Sequence, residues 1–323
     1  MNKIPEAFTC LDEALFEEQM EKVETLLAAV RREGRLPVKG GELYYELYPR
    51  REASAVVVIC HGFCESSEKY WEFIYYLYSA GYQVAVFDQR GHGKSLRESV
   101  DAGVVHVEDF EDYVEDLHLF LEDVVKEIAD GGPLYLYAHS MGGCVGARYL
   151  EKYPTDFQKA VLNSPMLAIY TGPCPLFVAK AVCDMAKLFG RGKKRLFTQG
   201  VFHPDMPFAK SCLDSEARYS YYQKKRRQNP CYQTSAASYT WGSTAIQAGY
   251  LAVSSKNASQ ISIPVLLCQA GRDRQVKAPA QRKFIKRVQN GKLCVYPDSR
   301  HELYRAGNAV LKPYMENILE FFG

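Results

Sequence analysis

The chain has 323 residues, of which 24% are charged, and a formal net charge of +2. So even a balance excludes a protein whose main task is to neutralise a phosphate backbone, and no nucleic-acid partner is expected. A hydrophobic content of 47% suits a globular chain with a large buried core, built as one large domain or two ordinary ones.

Residues 1–35 read as a polar, amphipathic lead-in, expected to be helical, with Leu11, Leu15, Val23, Leu26 and Leu27 among many charges. The first residues lack the apolar stretch of a signal peptide, and no window approaches the ~18 apolar residues of a membrane span, so a soluble, cytoplasmic protein is expected. After Gly40-Gly41, the segment Glu42–Tyr48 reads as a hairpin strand. An alternation then begins. Ala55–Cys60 is a continuous apolar run, His61–Ser67 a polar turn, Tyr70–Ser79 an aromatic-rich helix and Tyr82–Phe87 a strand. Phe110, Tyr113, Val114, Leu117, Leu121, Val124 and Ile128 recur at helical spacing within 108–129. Leu134–Tyr137 reads as a strand, Met141–Tyr153 as a helix stopped by Pro154, and Ala160–Leu162 as another strand. Val265–Cys268, Gln281–Val288, Leu293–Tyr296 and Val310–Phe322 complete strand, helix, strand and helix.

Apolar strands alternating with amphipathic helices imply an α/β fold, a mostly parallel sheet with helices on both faces. The core is expected to comprise residues 36–165 and 251–323. The interval 166–250 differs: it holds Pro173, Pro175, Pro204, Pro207 and Pro230, many aromatics, and basic clusters at Arg191–Arg195 and Lys224–Arg227. It reads as an inserted cap over one end of the sheet. Its apolar residues could line an acyl-chain tunnel or simply form the cap's own core, and its charges could meet a lipid surface or be a solvated face. Ten scattered cysteines, with Cys60, Cys268 and Cys294 inside strand-like runs, read as buried free thiols. Cys60 and Cys64 flank His61 without a second ligand pair, so no metal site is expected.

Chemistry concentrates in four loops. Ala138-His139-Ser140-Met141-Gly142 joins a strand to a helix, the context in which a sharp turn presents a serine nucleophile and its flanking positions must be small. Alanine stands at 138, where such turns more often carry glycine. On its own, this pattern would serve equally for a serine that caps a helix. Asp273 follows the strand Val265–Cys268, and His301 follows Leu293–Tyr296. Reactive groups in an open parallel sheet gather at the carboxyl ends of strands, and the chain order Ser, Asp, His is that of α/β-hydrolases. Histidine can take the serine proton near neutral pH, and an acid on its other nitrogen fixes the tautomer. Asp298, Glu302 and Asp88 compete for the acid's place; the first two lie too near His301 in sequence to reach its ring from the correct side. The fourth loop, His61-Gly62-Phe63-Cys64-Glu65, lets the backbone turn inward so that the amides of Phe63 and Met141 could form an oxyanion hole. The glycine-rich Phe87–Ser95 lacks phosphate-loop spacing, and Asp88 and His92 read as structural support.

His61-Gly-Phe, Asp88-Gln-Arg-Gly-His-Gly-Lys-Ser, Ala-His-Ser140-Met-Gly-Gly, Gly271-Arg-Asp273 and His301-Glu together resemble the α/β-hydrolases grouped as lysophospholipases and monoacylglycerol lipases. The resemblance runs from about residue 37 to the end. His106–Leu117, Asn163-Ser-Pro-Met and Ser238-Tyr-Thr-Trp241 are most like the bacterial L2 branch of lysophospholipases. The resemblance implies a cofactor-independent serine hydrolase acting on the carboxylic ester of a single-chain lipid, with membrane contact at most peripheral. A small-ester carboxylesterase or serine aminopeptidase of the same fold is the alternative. A noncatalytic binding member would have an eroded triad, whereas Ser140, Asp273 and His301 are all present.

Overall fold

The structure, a computed structural model, describes residues 8–323; residues 1–7 of the expected lead-in lie outside the described residues. The first helix is α1 (Phe16–Val30), whose Phe16, Met20, Val23 and Leu27 recur every three or four residues and are buried. It stops just before β1 (Arg32–Val38), so the end of the expected helical lead-in is a strand. β1 pairs antiparallel with β2 (Gly41–Tyr48). Its polar sequence reflects an edge position in which Leu36 alone is buried.

The core continues with β3 (Val56–Cys60), α2 (Trp71–Ser79), β4 (Gln83–Phe87) and the two-residue β5 (Val104–Val105). Next, α3 (Glu111–Phe120) passes through a π turn at Leu121–Val125 into α4 (Lys126–Ala129). β6 (Leu134–His139), α5 (Met141–Lys152) and β7 (Lys159–Asn163) follow. The 166–250 interval holds α6 (Leu176–Leu188), α7 (Glu216–Gln228), the short β8 (Ala236–Ala237) and most of α8 (Tyr239–Val253). The chain closes with α9 (Ser255–Ala258), β9 (Pro264–Ala270), α10 (Ala278–Ile285), β10 (Asn290–Tyr296) and α11 (Asn308–Phe322).

Eight strands form one sheet in the order β1-β2-β4-β3-β6-β7-β9-β10. Every pairing from β4 through β10 is parallel, and only β1–β2 and β2–β4 are antiparallel. This is the expected α/β architecture. The period-2 alternation of side chains divides the interior into two layers. Val56, Val58 and Cys60 of β3 pack in one layer with Leu117 of α3, Val145 of α5 and Ala245 of α8. Val57 and Ile59 face the other layer, with Val23 of α1, Phe73 of α2 and Met315 of α11. Cys60 and Cys268 are buried as expected, but Cys294 is only partly covered because β10 is the far edge strand.

Although α8 begins inside the 166–250 interval, its Trp241, Ala245, Ala248 and Ala252 belong to the sheet's own core. α7 is tied to the core differently. Arg218, wholly buried, donates to Glu72 of α2 through Nε at 2.8 Å and Nη2 at 2.6 Å. Among the described residues no helix is long and apolar enough to cross a membrane.

Candidate active site

Ser140 sits at the junction of β6 and α5 with φ +51° and ψ −113°, a conformation that L-residues rarely adopt. Such strain costs about 1–3 kcal/mol and persists only where the surroundings over-determine it. They do so here. The Ser140 N–H donates to the Asn163 carbonyl at 3.0 Å, and the Ser140 carbonyl accepts from Cys144 N at 3.1 Å and Met166 N at 2.8 Å. A Cβ at Gly142 would lie 2.2 Å from the Cys60 carbonyl oxygen and 2.5 Å from that of His61. Only glycine therefore lets the first turn of α5 approach the end of β3 this closely.

The three residues singled out from different loops converge. His301 Nε2 lies 2.8 Å from Ser140 Oγ, and His301 Nδ1 lies 2.7 Å from Asp273 Oδ2. The other Asp273 oxygen accepts from Gln275 N at 2.8 Å and Val276 N at 3.1 Å. Burial alone would raise the Asp273 carboxyl, but His301 and these amides outweigh it and hold it below its ordinary value. The carboxylate is thus ionised at neutral pH, and a proton on Nδ1 leaves Nε2 free to accept from the Ser140 hydroxyl. Of the competing acids, Glu302 turns to Lys69 and Arg305, and Asp88 accepts from the Ser67 and Lys94 amides.

The loop leaving β3 is fixed from both sides. His61 Nε2 accepts from Gln89 N at 2.9 Å and its Nδ1 lies 2.8 Å from the Gly62 carbonyl, so both ring nitrogens are engaged within the protein. Phe63 packs against Trp241 with ring centroids 4.4 Å apart and the planes tilted by 39°, and meets His92 edge-on at 5.8 Å. Met141 opens α5, where a backbone N–H has no intrahelical acceptor. The contact at Gly142 brings that turn against the carbonyls of Cys60 and His61, three and two residues before Phe63.

A cavity of about 480 Å³ opens over Ser140 and His301. Val201, Phe202, Met206 and Leu213 supply an apolar cap side, while Lys69, Glu302 and Arg305 make the other part strongly polar. The cavity therefore differs from a uniformly apolar tunnel. Sequence reading missed Glu65, whose carboxylate accepts from the Gly62 amide at 2.6 Å, and it missed Lys69 beside it. Glu65 and Lys69 are an i,i+4 pair, but the links of Lys69 to Glu302 and of Glu65 to Tyr304, 233 and 239 residues away, leave no local mark. His139, next to Ser140, is pushed down to about 4 by burial, more than nearby Glu65 can offset, and is neutral.

The second basic cluster is divided: Lys224 and Arg227 are exposed, whereas Lys225 and Arg226 are partly buried against acidic and carbonyl partners. Lys225 lies 2.7 Å from Glu24 and 3.1 Å from Glu68, Lys224 pairs with Glu17, and Arg226 donates to the carbonyls of Tyr232 and Thr234. In the first cluster Arg195 pairs with Asp101 at 2.7 Å.

Comparison with known proteins agrees with this geometry. The family model described as serine aminopeptidase, S33, matches residues 51–306. Lysophospholipase L2 of Escherichia coli strain K12 is 30% identical over 278 residues, covering 83% of this chain and 80% of that protein. The monoacylglycerol lipase of Mycolicibacterium smegmatis is 25% identical over 270 residues, 83% of this chain and 88% of its own. Among solved structures, a soluble variant of the Saccharomyces cerevisiae monoglyceride lipase, in complex with a substrate analog, superposes with a TM-score of 0.73 at 19% identity, covering 91% of this chain and 95% of that one. A thermostable carboxyl esterase from Bacillus coagulans gives 0.75 at 19% identity, with 90% and 97% covered. At these identities the two structures establish the fold.

Proposed function

The chain belongs to the serine aminopeptidase S33 family of hydrolases, and from that premise we propose that it is a serine ester hydrolase cleaving the carboxylic ester of a single-chain lipid. The observation that carries the reading is the continuous path from Asp273 Oδ2 through His301 to Ser140 Oγ, 2.7 and 2.8 Å long, whose Ser140 and His301 line a cavity. Ser140 Oγ attacks the ester carbonyl as His301 Nε2 takes its proton. Asp273 holds the ring and stabilises the imidazolium. The amides of Phe63 and Met141 receive the oxyanion. His301 then protonates the departing alcohol, leaving an acyl group on Ser140. Water, deprotonated by the same histidine, releases the fatty acid and restores the serine.

Two relatives named for their action on lysophospholipids and monoacylglycerols support a single-chain substrate, as does the apolar cap side of the cavity. Contact with a lipid surface would be peripheral. α6 leaves Phe177 69% exposed and Leu188 76% exposed, apolar area suited to such contact. Ten free cysteines favour a reducing, cytoplasmic setting. The family description keeps an aminoacyl amide as the second reading, because the same triad cleaves amides.

The test is a side-by-side assay of 1-palmitoyl lysophosphatidylcholine, 1-oleoylglycerol, p-nitrophenyl butyrate and leucine p-nitroanilide. A lipid ester giving the highest kcat/KM is the expected result. A preference for the anilide would overturn the lipid assignment.

A further inference from the structure

Beneath the catalytic groups lies a buried chain of charges that the hydrolytic steps do not use. Lys69 Nζ sits 2.7 Å from Glu65 Oε1 and 2.8 Å from Glu302 Oε1, with side-chain exposures of 7%, 4% and 4%. Glu65 is the fixed point of the loop after β3. Its Oε2 accepts from the Gly62 amide and the Tyr70 hydroxyl, each at 2.6 Å, and its Oε1 accepts from the Tyr304 hydroxyl at 2.9 Å. Gly62 is the residue immediately before Phe63. Glu302 is the residue immediately after His301, and its Oε2 pairs with Arg305 at 3.0 Å. One ammonium thus joins two loops that are 233 residues apart in sequence.

We propose that Lys69 is a positioning residue whose ammonium ties the loop presenting the Phe63 amide to the loop presenting His301, keeping oxyanion donor and base at one spacing across Ser140. The inference rests on the catalytic reading of Ser140, His301 and Phe63 given above.

Three features support it. First, buried ion pairs add little net stability compared with apolar packing, so a four-charge cluster is a poor device for merely holding a fold together. Second, the cluster's carboxylates attach directly beside the working groups: Glu65 to the Gly62 amide, and Glu302 through the peptide bond to His301. Third, Lys69 and Arg305 balance Glu65 and Glu302, so the anchor adds no net charge beside a developing oxyanion. Burial and the two bound cations agree with this pairing: burial alone would raise Glu302, yet Lys69 and Arg305 bring it down to about 2. Position matters at such a site, since a misplacement of ~1 Å costs on the order of 100-fold in rate.

The test compares the wild type with Lys69→Met and Lys69→Arg, using kcat and KM for p-nitrophenyl butyrate and the Ki of an alkyl boronic acid that forms a tetrahedral adduct on Ser140. Lys69→Met should lower kcat by about 10- to 100-fold with KM within about threefold, and weaken the boronate by the same factor, because both report the oxyanion site. Lys69→Arg should recover most of the loss. If Lys69→Met fails to fold, Lys69→Met/Glu302→Gln removes one cation and one anion together, and the same kcat loss is expected. A folded variant of either kind with kcat and boronate Ki within about twofold of wild type overturns the proposal, as does a loss confined to KM. Ser140→Ala separates the two levels: an active Ser140→Ala defeats the catalytic reading itself, whereas an inactive one beside normal Lys69 variants defeats only the role of Lys69.

Discussion

The methyl group of Ala138 faces Gly146: a Cβ placed at Gly146 would lie 3.1 Å from that of Ala138 and 2.9 Å from a Leu136 methyl. The strand before Ser140 can therefore carry alanine because α5 offers a glycine opposite it. Gly146→Ala should destabilise the protein by about 1–3 kcal/mol through overpacking. Ala138→Gly should cost only about 0.5–1 kcal/mol and leave turnover near wild type. Urea unfolding of the two single variants and the double would show partial rescue in the double; strict additivity would deny the contact.

Asp273→Asn should leave the fold intact and reduce kcat roughly 10³- to 10⁴-fold, since an amide that donates to Nδ1 would favour the wrong histidine tautomer. Steady-state turnover of a short ester checks this. A loss below about tenfold would mean that another acid serves His301.

Acid should destabilise the protein in two windows. His139, buried and neutral, is pushed down to about 4 from an ordinary value of 6.5. The unfolded chain therefore gains a proton that the folded one refuses as pH falls from 6.5 towards 4, and stability drops. Glu302 stands at about 2 against an ordinary 4.5, so the stability it contributes above pH 4.5 is lost as pH falls towards 2. Urea midpoints measured from pH 7 to 3 should fall through both windows, and Glu302→Gln should flatten the lower one.

Arg218→Met removes the only cation bonded to buried Glu72 among the described residues and should cost about 3–5 kcal/mol, the penalty for stranding a buried charge. Thermal unfolding measures it. A change under about 1 kcal/mol would show that the α7 contact is not a structural tie.

The fold was legible because its strands are read from local periodicity. β3 is apolar along its whole length, and β6 passes directly into small residues at Ser140. The candidate triad was legible for a related reason: each member follows a strand end, and sequence order supplied the rest. β1 was missed because an edge strand such as Arg32-Glu-Gly-Arg carries no apolar alternation. The two-residue pairing of β5 with β8 has too little sequence to leave a signal. Glu65 and Lys69 stand at i,i+4 spacing, but together with Glu302 they were invisible as a group because the link to Glu302 is a tertiary contact. In the basic run of α7, Lys224 and Arg227 are exposed, but the partly buried Lys225 gave no local sign of its acidic partners on α1 and beside α2.

The most direct test of the central claim is labelling with a fluorophosphonate probe followed by mass analysis of the peptide carrying residue 140. One probe should attach to Ser140 in the wild type, with activity lost in proportion, and Ser140→Ala should remain unlabelled and inactive. Labelling that persists in Ser140→Ala, or a wild type that hydrolyses esters without labelling, would contradict the account.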